Sequence, residues 1–171
     1  MSTATLEPKM VGHNLTGKYL AFTLHQQSYA LAVLKIREII RLPNITAMPQ
    51  MPAYVCGVIN LRGKIIPVMD LGLRFGLAAA VRTGQTCIMV VQVKGREGRV
   101  NQIGLVVDGV EEVVSILAAD IEETPDFGTN ISTEWILGMA KLKGGVITLL
   151  DIDQLAGEIA TQNLPGPTTL S

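Results

Sequence analysis

The sequence predicts an all-β protein of two small barrels related by internal duplication, with short helices between strands and near the C-terminus. Three observations carry this. Short aliphatic runs alternate apolar and polar residues between turn-forming clusters. Gly 17 and Pro 8 in 171 residues, against 4% aromatics, supply many turns and few large side chains. A block of the chain also recurs further along it, as duplication of one unit would leave it.

Taken in order, residues 1–17 read as a flexible tail. Lys18 to Leu24 alternates, with Leu20, Phe22 and Leu24 on one face, and Ser28 to Val33 is its partner across a His25-Gln26-Gln27 loop. Pro52 to Cys56 reads as a short helix. Gly57 to Leu61 and Lys64 to Asp70 flank Arg62-Gly63, a two-residue turn whose glycine takes φ > 0. Pro67 has no N–H to give and is expected at a sheet edge or bulge. Leu71 to Phe75 reads as a second short helix, and Thr86 to Val93 as a strand buried on both faces. Ile103 to Val107 and Val110 to Ile116 follow, parted by Asp108-Gly109, and Ile152 to Ile159 reads as a helix. The tail resumes at 161–171.

The repeat sets the domain plan. Gly57 to Arg74 aligns without gaps on Gly138 to Leu155, an offset of 81, with Gly57/Gly138, Leu61/Leu142, Gly63/Gly144, Ile66/Ile147 and Asp70/Asp151 identical. Ala30 to Ile40 aligns on Gly104 to Val114 at an offset of 74, keeping Leu31/Leu105, Val33/Val107 and Glu38/Glu112. The difference, 81 − 74 = 7, places seven additional residues in the acidic stretch Ala118 to Thr133. The expected lobes are 18–83 and 84–160, with terminal strands free to cross between them.

Composition excludes several classes. With 48% hydrophobic and 17% charged residues the chain has ample core material and is no disordered tail. A net charge of −1 and pI near 6.1 give no overall basic character for nucleic acid. Residues 1–85 carry nine basic and three acidic groups, +6, and residues 86–171 five and twelve, −7, a polarity suited to head-to-tail contacts. No targeting segment is visible, and the uncharged run Leu42 to Leu61 holds three prolines, which a membrane helix tolerates badly. A cytoplasmic location is expected, which makes the Asn-x-Ser/Thr matches at Asn14, Asn44 and Asn130 accidental.

Catalytic chemistry finds little support. His13 lies in the tail and His25 in a hairpin loop, so Ser and Cys nucleophiles lack a placed base. Gly57 to Lys64 has the wrong spacing and no hydroxyl for a P-loop. Two cysteines and two histidines give neither a disulfide framework nor metal-ligand spacing, so no metal or cofactor is expected. Asp70 and Asp151, at equivalent repeat positions, read as strand-ending helix caps rather than an acid/base pair. Cys56 and Cys87 read as small core residues, and Trp135 as a packing anchor. What remains is protein recognition. Ile36, Ile39 and Ile40 stand among Arg37, Glu38 and Arg41, and Arg62 projects from a tight turn, where Arg is a common hot-spot residue.

Several segments resemble the CheW-type bacterial chemotaxis adaptors. These are Tyr19 to Leu24, Tyr29, Ile36-Arg37-Glu38-Ile39, and Pro52 to Leu71 with its Gly-Val-Ile-Asn-Leu-Arg-Gly block. Gly104 to Val110, Ser132-Thr133-Glu134 and Asp151-Ile152 continue the match, which covers roughly residues 18 to 157. The resemblance implies two five-stranded SH3-like barrels around a joint core. It implies a non-enzymatic scaffold in chemotaxis signal transduction, coupling chemoreceptor cytoplasmic tips to the regulatory domain of a CheA-type histidine kinase. Carried over, Val33, Ile36, Glu38, Arg62, Val110 and Val113 line the receptor groove. Ile39 and Leu42 make one kinase contact, and Pro125-Asp126-Phe127 a second array contact, with self-association within arrays as a further role. Glu122 stands where the family pattern leads one to expect a basic residue, and the Gly95 to Gln102 loop reads as longer. Those departures fit a variant serving a pilus or biofilm pathway, one alternative; a small-ligand or oligonucleotide barrel is another, and a detached kinase regulatory domain a third.

Overall fold

A computed structural model describes residues 15–78, 82–95, 98–122, 134–142 and 144–161. Eleven strands and two helices account for most of them. In chain order they are β1 (Gly17–Leu24), β2 (Gln27–Ala32), β3 (Ile36–Arg41), β4 (Val55–Leu61), β5 (Lys64–Asp70), α1 (Leu71–Arg74), β6 (Cys87–Lys94), β7 (Val100–Val107), β8 (Gly109–Ile116), β9 (Ile121–Glu122), β10 (Ile136–Leu142), β11 (Gly145–Leu150) and α2 (Ile152–Thr161). Tight 3-10 turns at Val33–Lys35 and Ala118–Asp120 lead into β3 and β9. Among the described residues no helix is long and apolar enough to cross a membrane.

The strands form two sheets, a five-stranded one in the order β3-β6-β7-β5-β4 and a six-stranded one in the order β8-β1-β2-β11-β10-β9, whose sixth strand is the two-residue β9. The duplication is visible in the pairing itself. Val55↔Met69, Gly57↔Val68 and Val58↔Pro67 in the β4–β5 hairpin recur 81 residues on as Ile136↔Leu150, Gly138↔Leu149 and Met139↔Thr148, with the register shift at the same step. Both copies then meet a parallel neighbour, Val68↔Gly104 in one and Leu149↔Ala30 in the other, which honours both offsets at once.

Sheet membership crosses the division at residue 83. The β1–β2 hairpin of the first copy sits in the sheet with β8–β11, and the β6–β7 hairpin of the second sits between β3 and β5. The two copies have exchanged their first hairpins. The chain changes sheet through the Val33–Lys35 turn in one copy and at Asp108 in the other.

Strand alternation then sorts side chains among three cores. On β6, Met89, Val91 and Val93 enter a large joint core between the sheets, while Ile88 and Val90 enter a private core of the five-stranded barrel. On β1, Leu20, Phe22 and Leu24 enter the joint core and Tyr19 the private core of the six-stranded barrel. Ile88, Met89, Val90, Val91 and Val93 are wholly buried, as a strand apolar on both faces requires.

Asp70 and Asp151 cap the helices that follow them. Leu73 N–H donates to Asp70 Oδ1 at 3.1 Å, and Asp153 and Gln154 N–H donate to Asp151 Oδ1 at 3.1 and 3.3 Å. Cys56 and Cys87 are partly buried free thiols, both pushed up in pKa by burial, as inert packing residues should be. Arg62 and Gly63 form the expected turn with φ of 52° and 86°.

Three expectations need correction. Pro52 to Cys56 is a turn, closed by Val55 N–H donating to Pro52 O at 2.9 Å, and Val55 and Cys56 already belong to β4. A single turn of apolar residues before a glycine bulge has too little length to sustain a helix. Pro67 lies inside β5, a strand with neighbours on both sides, immediately before its parallel pairing with β7 begins at Val68. The loop after β6 is also shorter than Gly95 to Gln102, because Val100, Asn101 and Gln102 pair with Lys94, Val93 and Gln92.

Candidate partner-docking site

The two edge strands β3 and β8 are repeat equivalents, one in each sheet. Each carries a β-branched residue near its start at the 74-residue offset, Ile36 and Val110, and both pack on the joint core. Val33, in the turn before β3, packs there too. All three are only partly buried, so the joint core between the sheets reaches the surface at each of them. Sequence reasoning named these three residues, and the structure brings them onto one core.

Glu38 and Arg62 form a separate unit. Both Arg62 guanidinium NH groups donate to the Glu38 carboxylate, one of them at 3.3 Å, tying β3 to the β4–β5 turn. The Arg62 hydrogen bond holds the Glu38 carboxyl below its usual range against a weaker opposing push from burial, with the charges of Arg62 and Arg37 adding to the lowering. Glu38 in turn raises Arg62. Gly63 N–H donates to Asn60 Oδ1 at 2.8 Å, which braces the turn. A bidentate Arg–carboxylate pair on such a turn presents a planar, charged recognition element at the surface.

Val113 stands elsewhere. It is 55% exposed and lines a groove of about 500 Å³ between β8 and the β10–β11 hairpin, with Glu111, Glu112, Leu142 and Val146. Ile39, its repeat equivalent on β3, is 44% exposed. Leu42 is turned the other way and packs with Ile40, Ile45 and Leu61 on the private core of the five-stranded barrel. Pro125, Asp126 and Phe127 lie outside the described residues. Glu122 is paired with Lys141, Nζ to Oε2 2.7 Å, both side chains exposed, across the β9–β10 pairing.

Sequence reasoning passed over several exposed apolar residues, of which two bear on the site. Val146 is 54% exposed in that groove, and its alignment with Ile65, itself 40% exposed, was the signal available. Leu34 is 94% exposed on the turn before β3, where an unbroken apolar run gives no such hint. Among the described residues no group of three His, Cys, Asp or Glu could hold a metal ion. The arrangement is suited to binding proteins through apolar residues edged by charge.

Comparison with known proteins agrees with this geometry. The family profile of the CheW-like domain matches residues 18–160.

The chain belongs to the CheW-like family.

Among CheW relatives, the chemotaxis protein CheW of Rhizobium meliloti is 35% identical over 80% of this chain and 84% of its own. That of Klebsiella aerogenes is 32% identical over 86% of each. The crystal structure of the scaffolding protein TtCheW from Thermoanaerobacter tengcongensis superposes with a TM-score of 0.72 at 34% identity, covering 82% of this chain and 92% of that one. The CheW fold of two SH3-like barrels therefore accounts for both sheets and for their joint core.

Proposed function

We propose that this chain is a non-catalytic chemotaxis scaffold that couples chemoreceptor cytoplasmic tips to the regulatory domain of a CheA-type histidine kinase. The observation that carries the reading is the placement of Ile36 and Val110, equivalent residues of the two copies, on the one core between the sheets. A receptor tip takes that seam with the Glu38–Arg62 pair at its margin. The kinase domain takes the exposed Ile39 side of β3 on the five-stranded barrel, supported by the repeat of partner-facing positions on edge strands. Pro125-Asp126-Phe127 makes a further array contact, and copies of the chain meet within arrays. The work is done in the cytoplasm, at membrane receptor arrays.

Area allows two partners at once. A standard interface takes ~800 Å² from each side, a small part of the 10067 Å² this chain exposes. The relatives' chemotaxis names favour this reading over a pilus- or biofilm-type adaptor and over a small-ligand barrel.

The test titrates a purified receptor-tip fragment and a purified kinase regulatory domain, separately, by calorimetry. Val110→Asp and Arg62→Ala are expected to weaken receptor binding by about tenfold or more while leaving the circular dichroism spectrum and kinase binding unchanged. Ile39→Asp is expected to do the reverse. Absence of binding to either partner by the unaltered protein overturns the proposal.

A further inference from the structure

Five of the seven aromatic residues lie in one connected line. Phe22 stacks on Tyr29 at 6.1 Å between centroids, Tyr29 meets Phe75 at 5.4 Å, and Phe75 stacks on Trp135 at 5.3 Å. The line continues through a cation. Arg74 Cζ lies 4.6 Å from the Trp135 ring centroid and 4.8 Å from that of Tyr54. Arg74 Nε also donates to Leu155 O at 3.2 Å.

The 81-residue offset gives this cluster its meaning. Tyr54 and Trp135 are equivalent residues of the two copies, and so are Arg74 and Leu155. Each ring-bearing residue is held alike, Tyr54 O accepting from Asp70 N–H at 2.8 Å and Trp135 O from Asp151 N–H at 2.7 Å. One guanidinium thus binds the matching rings of both copies and the carbonyl of its own counterpart. One cation serves the equivalent rings of both copies, while the second copy carries leucine at the matching position.

We infer that Arg74 is a positioning residue that fixes the angle between the two barrels, and with it the width of the seam at Ile36 and Val110. This rests on the coupling reading for its consequence, though not for its geometry. Tyr54 leads into β4 of one sheet and Trp135 into β10 of the other. The apolar joint core between the sheets attracts without direction, so by itself it resists separation more than sliding. A planar cation held to two rings and one carbonyl is directional and resists sliding as well. Val33, Ile36 and Val110 pack on the same joint core as Tyr54, Phe75 and Trp135, so a shift at one end is transmitted to the other.

The test separates this role from simple stability. Arg74→Met keeps apolar volume without charge, and Arg74→Lys keeps charge without the planar fork. Spin labels at Lys64→Cys on β5 and Glu111→Cys on β8, with Cys56 and Cys87 replaced by Ala, report the inter-barrel distance by pulsed electron resonance. The expected result is a narrow distribution in the parent, a broadened one in Arg74→Met and an intermediate one in Arg74→Lys. Receptor-tip binding by Arg74→Met is expected to fall about tenfold, with kinase-domain binding, which needs one barrel, within twofold of the parent. Emission of Trp135, the only tryptophan, should shift in the same variant. An unchanged distance distribution overturns the inference whatever the partners do, and so does an equal loss of both partners. A narrow parent distribution that broadens in Arg74→Met, beside a parent that fails to bind receptor tips, overturns the coupling reading and leaves the clamp standing.

Discussion

Asp151 shows how a single carboxyl can work for and against the fold. Its Oδ1 accepts the two N–H groups that open α2, which favours the ionised form, while burial raises its pKa more strongly and Asp153 adds to the rise. A raised carboxyl pKa means that the folded state holds its proton where the unfolded chain has released it. Stability therefore falls as pH climbs from the ordinary value of 3.8 through the raised one. Asp151→Asn keeps an accepting oxygen and removes that fall, so its advantage over the parent should grow with pH across this window. Asp151→Ala loses the cap, at a cost of about 1 kcal/mol at low pH that should shrink as pH climbs through the same window. Urea midpoints measured between pH 3 and 7 decide it; an Asn variant that tracks the parent at all pH values contradicts the account. Glu38 has the opposite sign. Its depressed pKa keeps the Arg62 pair intact down through mildly acidic pH, and the pair is lost only as pH falls through that lowered value.

At the scale of elements, the hairpins of the two copies share a register but differ in tolerance. A Cβ on Gly57 would stand 2.0 Å from Thr46 O, and the residue's φ is +146°, so the crossing segment leaves no space for a side chain. Gly138, its equivalent, would bring a Cβ to 3.2 Å from Leu15 Cδ1, the end of a flexible side chain, with no such backbone constraint. Gly57→Ala should destabilise by about 2 kcal/mol or more and Gly138→Ala by much less; thermal unfolding of the pair tests this, and equal losses would refute it.

This scale also shows what was legible in the sequence. Of the eleven strands, β3 and β9 were not legible as such; strand alternation gave seven, and the two offsets implied β10 and β11, both helix caps and the equivalence of Ile36 with Val110. They could not give Leu42 its burial, because an apolar residue just past an edge strand can face either core or partner. Nor could they turn Leu34 outward, since a 3-10 turn rotates a residue off the strand period. The Tyr54–Arg74–Trp135 cluster was invisible because it needs three segments far apart in sequence to meet, and only the Trp135 anchor was foreseen.

For the molecule as a whole, the exchanged hairpins matter most. Periodicity assigns faces to a strand but not partners, so the sequence left open which sheet each hairpin joins. In the five-stranded sheet β6 and β7 lie between β3 and β5, so residues 1–83 contain its flanks without its centre. That fragment is expected to be unfolded alone by circular dichroism and to show no cooperative thermal transition, whereas the full chain unfolds in one. A folded, cooperative monomer from residues 1–83 would contradict this.

The same threading governs the order in which the protein can form on the ribosome. The segment holding β3, β4 and β5 leaves the exit tunnel before the strands that lie between them, and Val68 must wait for Gly104 before its sheet can close. Ala30 waits longer still, for Leu149. Domains that fold as they emerge shelter their apolar strands early; here the five-stranded sheet stays open until β7 has emerged and the six-stranded one until β11 has, which leaves apolar edges for holding chaperones to cover during synthesis.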